Sequence, residues 1–254
     1  MQYKIQFSCI SHTGYVRSTN QDNMICDGRY RELTGDPLPF PLSGEIYPKE
    51  PALFGVFDGM GGEECGDVAA YLAAKEAATI PKKGGGVTVL STFCARANHL
   101  ICAYAANHAI TAMGTTAAML LFTHKKIVLC NIGDSRIFRL SDSGLVQISK
   151  DHVASAAFGR KPPLSQNLGI PPEQLLIEPY LATGRCRIGD RYLICSDGLT
   201  DMVTEQEIIL LLQQPSPEEA ASALVSKALE NGGKDNVTVL VLEVRQKENR
   251  LFKK

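Results

Sequence analysis

The chain lacks a C-x-x-C pair, any apolar stretch near the ~20 residues needed to span a membrane, and a surplus of either charge. With 26 basic and 27 acidic residues the net charge is −1, so no global field draws nucleic acid or an anionic membrane. Without paired cysteines a zinc site or a thioredoxin-like site is unsupported. The first residues, Met-Gln-Tyr-Lys-Ile-Gln-Phe, alternate like a strand and do not form the apolar segment of a signal peptide. Eight cysteines are present, but most lie inside apolar runs (Cys9, Cys102, Cys130, Cys195), where a reduced thiol behaves as a small hydrophobe. The expected setting is a reduced cytoplasm. Repeats and low-complexity linkers are also missing.

What is present is a chain of 254 residues, 44% apolar and 21% charged, long enough to bury a large core. Residues 3–10 and 22–27 read as strands. Five prolines between 29 and 51 exclude a central strand or a helix there and predict a long loop or irregular hairpin. The continuous apolar run 52–57 reads as a buried strand, and 63–79 and 88–110 as long helices. The period then switches to two. Segments 116–122, 127–132, 136–140 and 145–148 predict a meander of strands. Residues 151–190 carry no periodicity, which is long for a connection and often functional. A strand (191–195), two helices (about 205–213 and 217–230) and a last strand (237–245) complete an α+β pattern in which helices cover antiparallel sheets. We expect one domain over 1–246 and a charged, frayed tail over 247–254.

Two of the buried strands stop at Asp-Gly: 52–57 at Asp58-Gly59, and 191–195 just before Asp197-Gly198. A third aspartate, Asp235, stands just before the run 237–244. A lone Asp-Gly is commonly only a turn. Three strand-end carboxylates, 139 and 38 residues apart, instead suggest one oxygen-rich pocket, because clustered carboxylates repel until a hard cation neutralises them. Oxygen-only ligation points to Mg²⁺ or Mn²⁺, and a pair of such ions activates a water for hydrolysis.

Six motifs surround these aspartates in order. They are Arg17-Ser-Thr-Asn-Gln-Asp22, Phe54-Gly-Val-Phe-Asp58-Gly59-Met-Gly-Gly62, Met113-Gly-Thr-Thr116, Asn131-Ile-Gly-Asp-Ser-Arg136, Cys195-Ser-Asp197-Gly-Leu199 and Lys234-Asp235-Asn-Val-Thr238. Together they resemble the metal-dependent Ser/Thr protein phosphatases of the protein phosphatase 2C type, over about residues 8 to 245. The resemblance implies a four-layer αββα sandwich, two antiparallel sheets flanked by helix pairs, with a binuclear metal site at one end of the sheets. It implies hydrolysis of phosphomonoesters on Ser/Thr phosphoproteins by a water activated between two Mn²⁺ or Mg²⁺ ions, and a Ser/Thr kinase acting on the same substrates.

Residue by residue, the resemblance makes Asp58 the bridging ligand and the Gly59 carbonyl a ligand of one ion. It makes Asp197 and Asp235 ligands of the second ion and Asp22 a carboxylate acting through bound water. Arg17 takes the place of the phosphate-binding arginine, and a planar guanidinium suits that role by gripping two phosphate oxygens. Gly198 reads as a turn residue. Departures limit the claim: Thr111 stands where many members carry an aspartate linked to a third ion. Met60 stands where some carry a histidine acid, and methionine transfers no proton. His152 reads as structural, as do Asp134 and Arg136 of the Gly-Asp-Ser-Arg turn. Arg160 and Lys161, in the variable flap region, are either receivers of a phosphopeptide or solvated cations. Cys65 is placed near the ions, with redox sensitivity as its corollary.

Two rival readings remain. The segment Cys130-Asn-Ile-Gly-Asp-Ser-Arg136 formally matches Cys-x5-Arg of cysteine-dependent phosphatases, although Asp134 would oppose a phosphate dianion in such a loop. A pseudophosphatase that uses the same fold to bind a phosphoprotein is the other.

Overall fold

The computed structural model describes residues 3–34, 40–60, 65–81, 86–124, 126–155 and 162–247. In chain order these hold β1 (Tyr3–His12), β2 (Asp22–Cys26), β3 (Leu42–Ile46), β4 (Ala52–Met60), α1 (Gly66–Ala78), α2 (Val87–Asn107), β5 (Gly114–Thr115), β6 (Ala117–Phe122), β7 (Ile127–Ile132), β8 (Arg136–Ser141), β9 (Gly144–Gln147), β10 (Tyr180–Gly184), β11 (Arg191–Cys195), α3 (Asp197–Thr200), α4 (Glu205–Leu211), α5 (Pro217–Glu230) and β12 (Val237–Gln246). The strands make two antiparallel sheets, ordered β3-β1-β12-β11-β8-β9 and β10-β7-β6-β4-β2, and β5 pairs with the end of β4.

The continuous apolar runs follow from strands that feed two cores at once. In β6, Ala117, Met119 and Leu121 pack beneath α1 and α2, while Ala118, Leu120 and Phe122 face the opposite sheet. In β12, Val239 and Val241 meet Leu224 and Ala228 of α5, while Leu240 and Leu242 face between the sheets. The central stretches of such strands are apolar on both faces because neither face meets water. Each fully buried Val, Leu or Phe contributes roughly 1.5–3 kcal/mol. The layers are therefore α1 and α2, sheet, sheet, and α4 and α5: the four-layer sandwich. The outer helices start where the chain signals it. Thr204 and Glu207 form a capping box at α4, and Ser216 caps α5 ahead of Pro217. Each cap contributes about 1 kcal/mol.

Four features depart from the sequence reading. The proline-rich stretch contains β3, an edge strand on β1, a position where proline is tolerated. The aperiodic stretch contains β10, an edge strand paired to β7 and too short to show a clear alternation. The expected four-strand meander is divided, because β6 and β7 belong to one sheet and β8 and β9 to the other. The crossing is made at Gly133, whose φ of +98° permits the turn. Finally, β4 does not stop at Asp58; it continues through Gly59 to Met60 because Asp58 pairs with Asp22 and Gly59 with Thr115. Lys247, expected to fray, lies over the Tyr47 ring at 5.5 Å; the remainder of the tail and the pair Arg160 and Lys161 lie outside the described residues.

Candidate active site

Asp22 and Asp58 are directly opposite one another in the β2–β4 register. Like charges in that relation repel. Asp22 is fully buried. Its Oδ2 accepts hydrogen bonds from Thr238 Oγ1 at 2.6 Å and Ser196 Oγ at 2.8 Å, both from the opposite sheet, while Oδ1 has no partner. Arg31 lies near enough for its charge to interact with Asp22, but its Nη2 donates to the backbone carbonyls of Asn20 and Asp22, 2.6 Å each, and not to the carboxylate. Burial pushes the Asp22 carboxyl up to about 7; the two hydroxyls pull it down, and Asp197 and Asp235 raise it. Enclosure also raises Asp58 well above the usual carboxylate range, reinforced by Asp22, Asp197 and Asp134.

The Asp58 backbone is clamped. Its N–H donates to Thr116 Oγ1 at 3.0 Å, its carbonyl accepts from Thr116 N–H and Thr115 Oγ1 at 2.9 Å each, and Thr116 Oγ1 meets Ser135 Oγ at 2.6 Å. The Gly-Thr-Thr segment is thus a holder for Asp58. Next to it, a Cβ on Gly59 would stand 2.0 Å from the Gly66 carbonyl oxygen, so glycine is what lets α1 begin against the strand carrying Asp58.

Asp197 opens α3 immediately after Ser196. Gly198, read as a turn residue, is helical instead, and a Cβ there would meet the Asn236 carbonyl oxygen at 1.9 Å. That close approach brings the segments that carry Asp197 and Asp235 together at the cleft. Asn236 then ties in the loop that carries Arg17. Its Oδ1 accepts from Gln21 N–H, and its Nδ2 donates to the Thr13 and Thr19 carbonyls, all at 2.8 Å. Arg17 Nη2 rests on Asp235 Oδ2 at 2.8 Å, an exposed pair worth at most about 1 kcal/mol and easily exchanged.

Arg17, Asp58, Gly59, Asp197 and Asp235 therefore line one open cleft of about 410 Å³ at the end of both sheets, with Asp22 buried nearby. Asp134 and Asp201 join the acidic wall. Arg136, expected to support structure, is paired to Asp151 at 2.7 Å. Asp201 was missed, although its position four residues after Asp197 at a helix start signals one shared face. Met60 lines this cleft and a neighbouring cavity of about 460 Å³, which Thr111 also lines. His152 is structural in its setting: its N–H donates to the Gly133 carbonyl at 2.9 Å, and burial lowers its imidazole. Cys65 precedes α1 and packs against the core beneath that helix.

The donor set fits hard divalent cations. It is all oxygen, it holds an unpartnered buried carboxylate oxygen, and its negative groups crowd each other. Among the described residues no three acidic, His or Cys side chains stand close enough together to hold an ion by themselves. An open acidic cleft suits ions that keep several waters.

The Cys-x5-Arg reading fails on geometry. Cys130 points into the core beneath α2, its Sγ 3.3 Å from Cys94 Sγ. That contact, with burial, raises its thiol well above the usual range, so no thiolate nucleophile forms.

A sandwich of this layering with an acidic cleft at its end defines a class, and the chain belongs to it: residues 45–231 match the protein phosphatase 2C family. Among its relatives, the Ser/Thr protein phosphatase PstP of Mycobacterium tuberculosis is 32% identical over 94% of this chain. The chain spans 45% of that relative's length. The Ser/Thr phosphatase stp of Listeria welshimeri is 31% identical over 91% of this chain and 92% of its own length. The crystal structure of the PstP catalytic domain in complex with two manganese ions superposes with a TM-score of 0.76 at 32% identity, covering 96% of this chain and 100% of that one.

Proposed function

We propose that this chain is a metal-dependent protein Ser/Thr phosphatase that hydrolyses phosphomonoesters without a covalent enzyme intermediate. The observation that carries this is the convergence of Asp58, Asp197 and Asp235 on one cleft beside buried Asp22, whose Oδ1 has no hydrogen-bond partner among the described residues. Family membership and the manganese-bound relative support the choice of Mn²⁺ or Mg²⁺. Asp58, the Gly59 carbonyl, Asp197 and Asp235 would hold two such ions, with Asp22 acting through bound water. The ions supply charge neutralisation and activation of the water that attacks phosphorus. Arg17 leaves Asp235 to grip two phosphate oxygens and orients the phosphoryl group for in-line attack. Asp22, fixed by Ser196 and Thr238 across the sheets, orders water at the cleft floor. Met60 donates no proton, so the departing Ser or Thr alkoxide takes its proton from water. Thr111 offers no carboxylate for a third ion.

The same proposal takes residues 1–246 as one catalytic domain, phosphorylated Ser/Thr proteins as substrates and a Ser/Thr kinase as opposing partner, in the cytoplasm. No described helix is long and apolar enough to cross a membrane. All eight cysteines are free, which favours a reducing compartment. A non-catalytic binding role has no comparable support, since every acidic group that the chemistry needs is retained. The test is p-nitrophenyl phosphate hydrolysis. Turnover with Mn²⁺ that EDTA abolishes is expected; metal-independent turnover, or none with any divalent ion, overturns the proposal.

A further inference from the structure

Tyr15 and Val16 are consecutive, each 69% exposed, and directly precede Arg17. Single exposed apolar side chains are ordinary on protein surfaces. This pair differs in that its backbone is anchored. Gly14, at φ +82°, lies so close to the 233–235 segment that a Cβ would stand 2.3 Å from the Asp235 carbonyl oxygen. Tyr15 N–H donates to the Gly233 carbonyl at 2.7 Å, and its ring meets His12 edge-on at 6.2 Å. Asn236 fastens the same loop at Thr13 and Thr19. The backbone presenting the pair is therefore fixed to the segment that carries Asp235. Pro162, Pro163 and Leu164 bring further apolar surface to the cleft lining.

The cleft interior is ionic and suited to a phosphoryl group, but it holds little to distinguish one peptide from another. Selectivity among phosphoproteins must arise outside the ionic interior, and the two residues that precede Arg17 are exposed and apolar. We infer that Tyr15 and Val16 are specificity determinants that receive an apolar side chain flanking the phosphorylated Ser or Thr. The inference rests on the phosphatase reading above. A ring and a β-branched side chain on an immobilised backbone lose little entropy when covered, which makes exposed residues effective contacts.

The test compares p-nitrophenyl phosphate with phosphothreonine peptides of equal length that carry Leu, Ser or Glu beside the phosphoresidue, all with Mn²⁺. The parent is expected to favour the Leu peptides. The double variant Tyr15→Ala, Val16→Ser is expected to lose about tenfold in kcat/KM on those peptides, mostly through KM. Its rates on p-nitrophenyl phosphate and on Ser-flanked peptides should stay within about twofold of the parent. Tyr15→Phe should retain the preference and, with the single variant Tyr15→Ser, serves if the double variant fails to fold. No preference in the parent, no loss on Leu peptides, or an equal loss on every substrate overturns the inference. A parent inactive on p-nitrophenyl phosphate overturns the phosphatase reading itself.

Discussion

Strand β11 has a buried aspartate cluster with its donors at its start and an acidic cluster beyond its other end, and the two are built on opposite plans. At its start, Asp190 accepts from Arg139 Nη2 at 2.9 Å, from the Arg187 N–H at 2.6 Å and from Tyr192 Oη at 3.2 Å. Both oxygens are used and a guanidinium supplies the opposite charge. Beyond its other end lie Asp197 and, across the sheets, Asp22 and Asp58. Asp22 is as buried as Asp190, yet it has two hydroxyls, one unused oxygen and acidic neighbours. A buried carboxylate is tolerated only when something neutralises it. The first cluster carries its neutraliser within the chain; the second is arranged to take one from solution. Burial alone therefore does not mark a site, whereas a buried carboxylate with one oxygen unpartnered and no guanidinium bonded to it does.

The comparison breaks most visibly at Asp58. Asp58→Asn removes the carboxylate that faces Asp22, and we expect p-nitrophenyl phosphatase activity to fall more than about 100-fold. The parent's Tm should rise with Mn²⁺, as expected for a ligand that binds the folded state, and the variant's should rise much less. In EDTA the variant should melt no lower than the parent, because it has lost a repulsion. Melting curves with and without Mn²⁺ check both points; a variant that unfolds without metal while the parent does not would make Asp58 a structural residue like Asp190.

At the other end the signs reverse. Asp190→Ala strips Arg139 and Tyr192 of their shared acceptor and should cost about 2 kcal/mol of stability, read from denaturant midpoints. Activity per folded molecule and the Mn²⁺-induced rise in Tm should be unchanged. An altered metal response would mean that the two clusters communicate along β11 and are not independent.

A smaller effect sharpens the contrast through pH. Burial, before any other cause, lifts the Asp22 carboxyl to about 7 in the folded chain. An unfolded aspartate releases its proton near 3.9, so between these values the folded state binds the extra proton. For this group the metal-free protein is most stable below about pH 4 and loses that contribution as pH rises through about 7. With EDTA, the parent's Tm should fall between pH 5 and 8, Asp22→Asn should flatten the fall, and Mn²⁺ should restore stability at pH 8. A parent curve as flat as the variant's would mean that Asp22 stays ionised without metal.

Much of this was legible in the chain. Apolar runs located the central strands, and Asp58, Asp197 and Asp235 stood out because each adjoins such a run. The parts that were not legible depend on partners distant in sequence. Edge strands β3 and β10 pair on one side only, so their composition carries little periodicity. The division of the meander depends on a single turn at Gly133. Gly198 looked like one more Asp-Gly turn, because its role is a close approach to Asn236, 38 positions away. Asp134 joins the acidic wall through a turn whose direction no local pattern encodes, whereas the four-residue spacing of Asp201 from Asp197 was a signal left unread. The hydroxyls of Ser196 and Thr238 are common residues until Asp22 lies between them.

The smallest effect belongs to the cysteine that matched a different phosphatase pattern. Cys130 is in β7 with its sulfur 3.3 Å from Cys94 Sγ, inside the core beneath α2 and not on the cleft. Cys130→Ser exchanges a weakly polar sulfur for a hydroxyl in an apolar layer. Its cost is limited to the burial of that hydroxyl, about 1–3 kcal/mol where no strong partner meets it. Mn²⁺-dependent turnover per folded molecule should match the parent, and EDTA should still abolish it. Loss of turnover in a folded Cys130→Ser variant, with activity indifferent to chelator, would move the chemistry from the acidic end of the sheets to β7. The contrast between the ends of β11 would then describe two structural clusters.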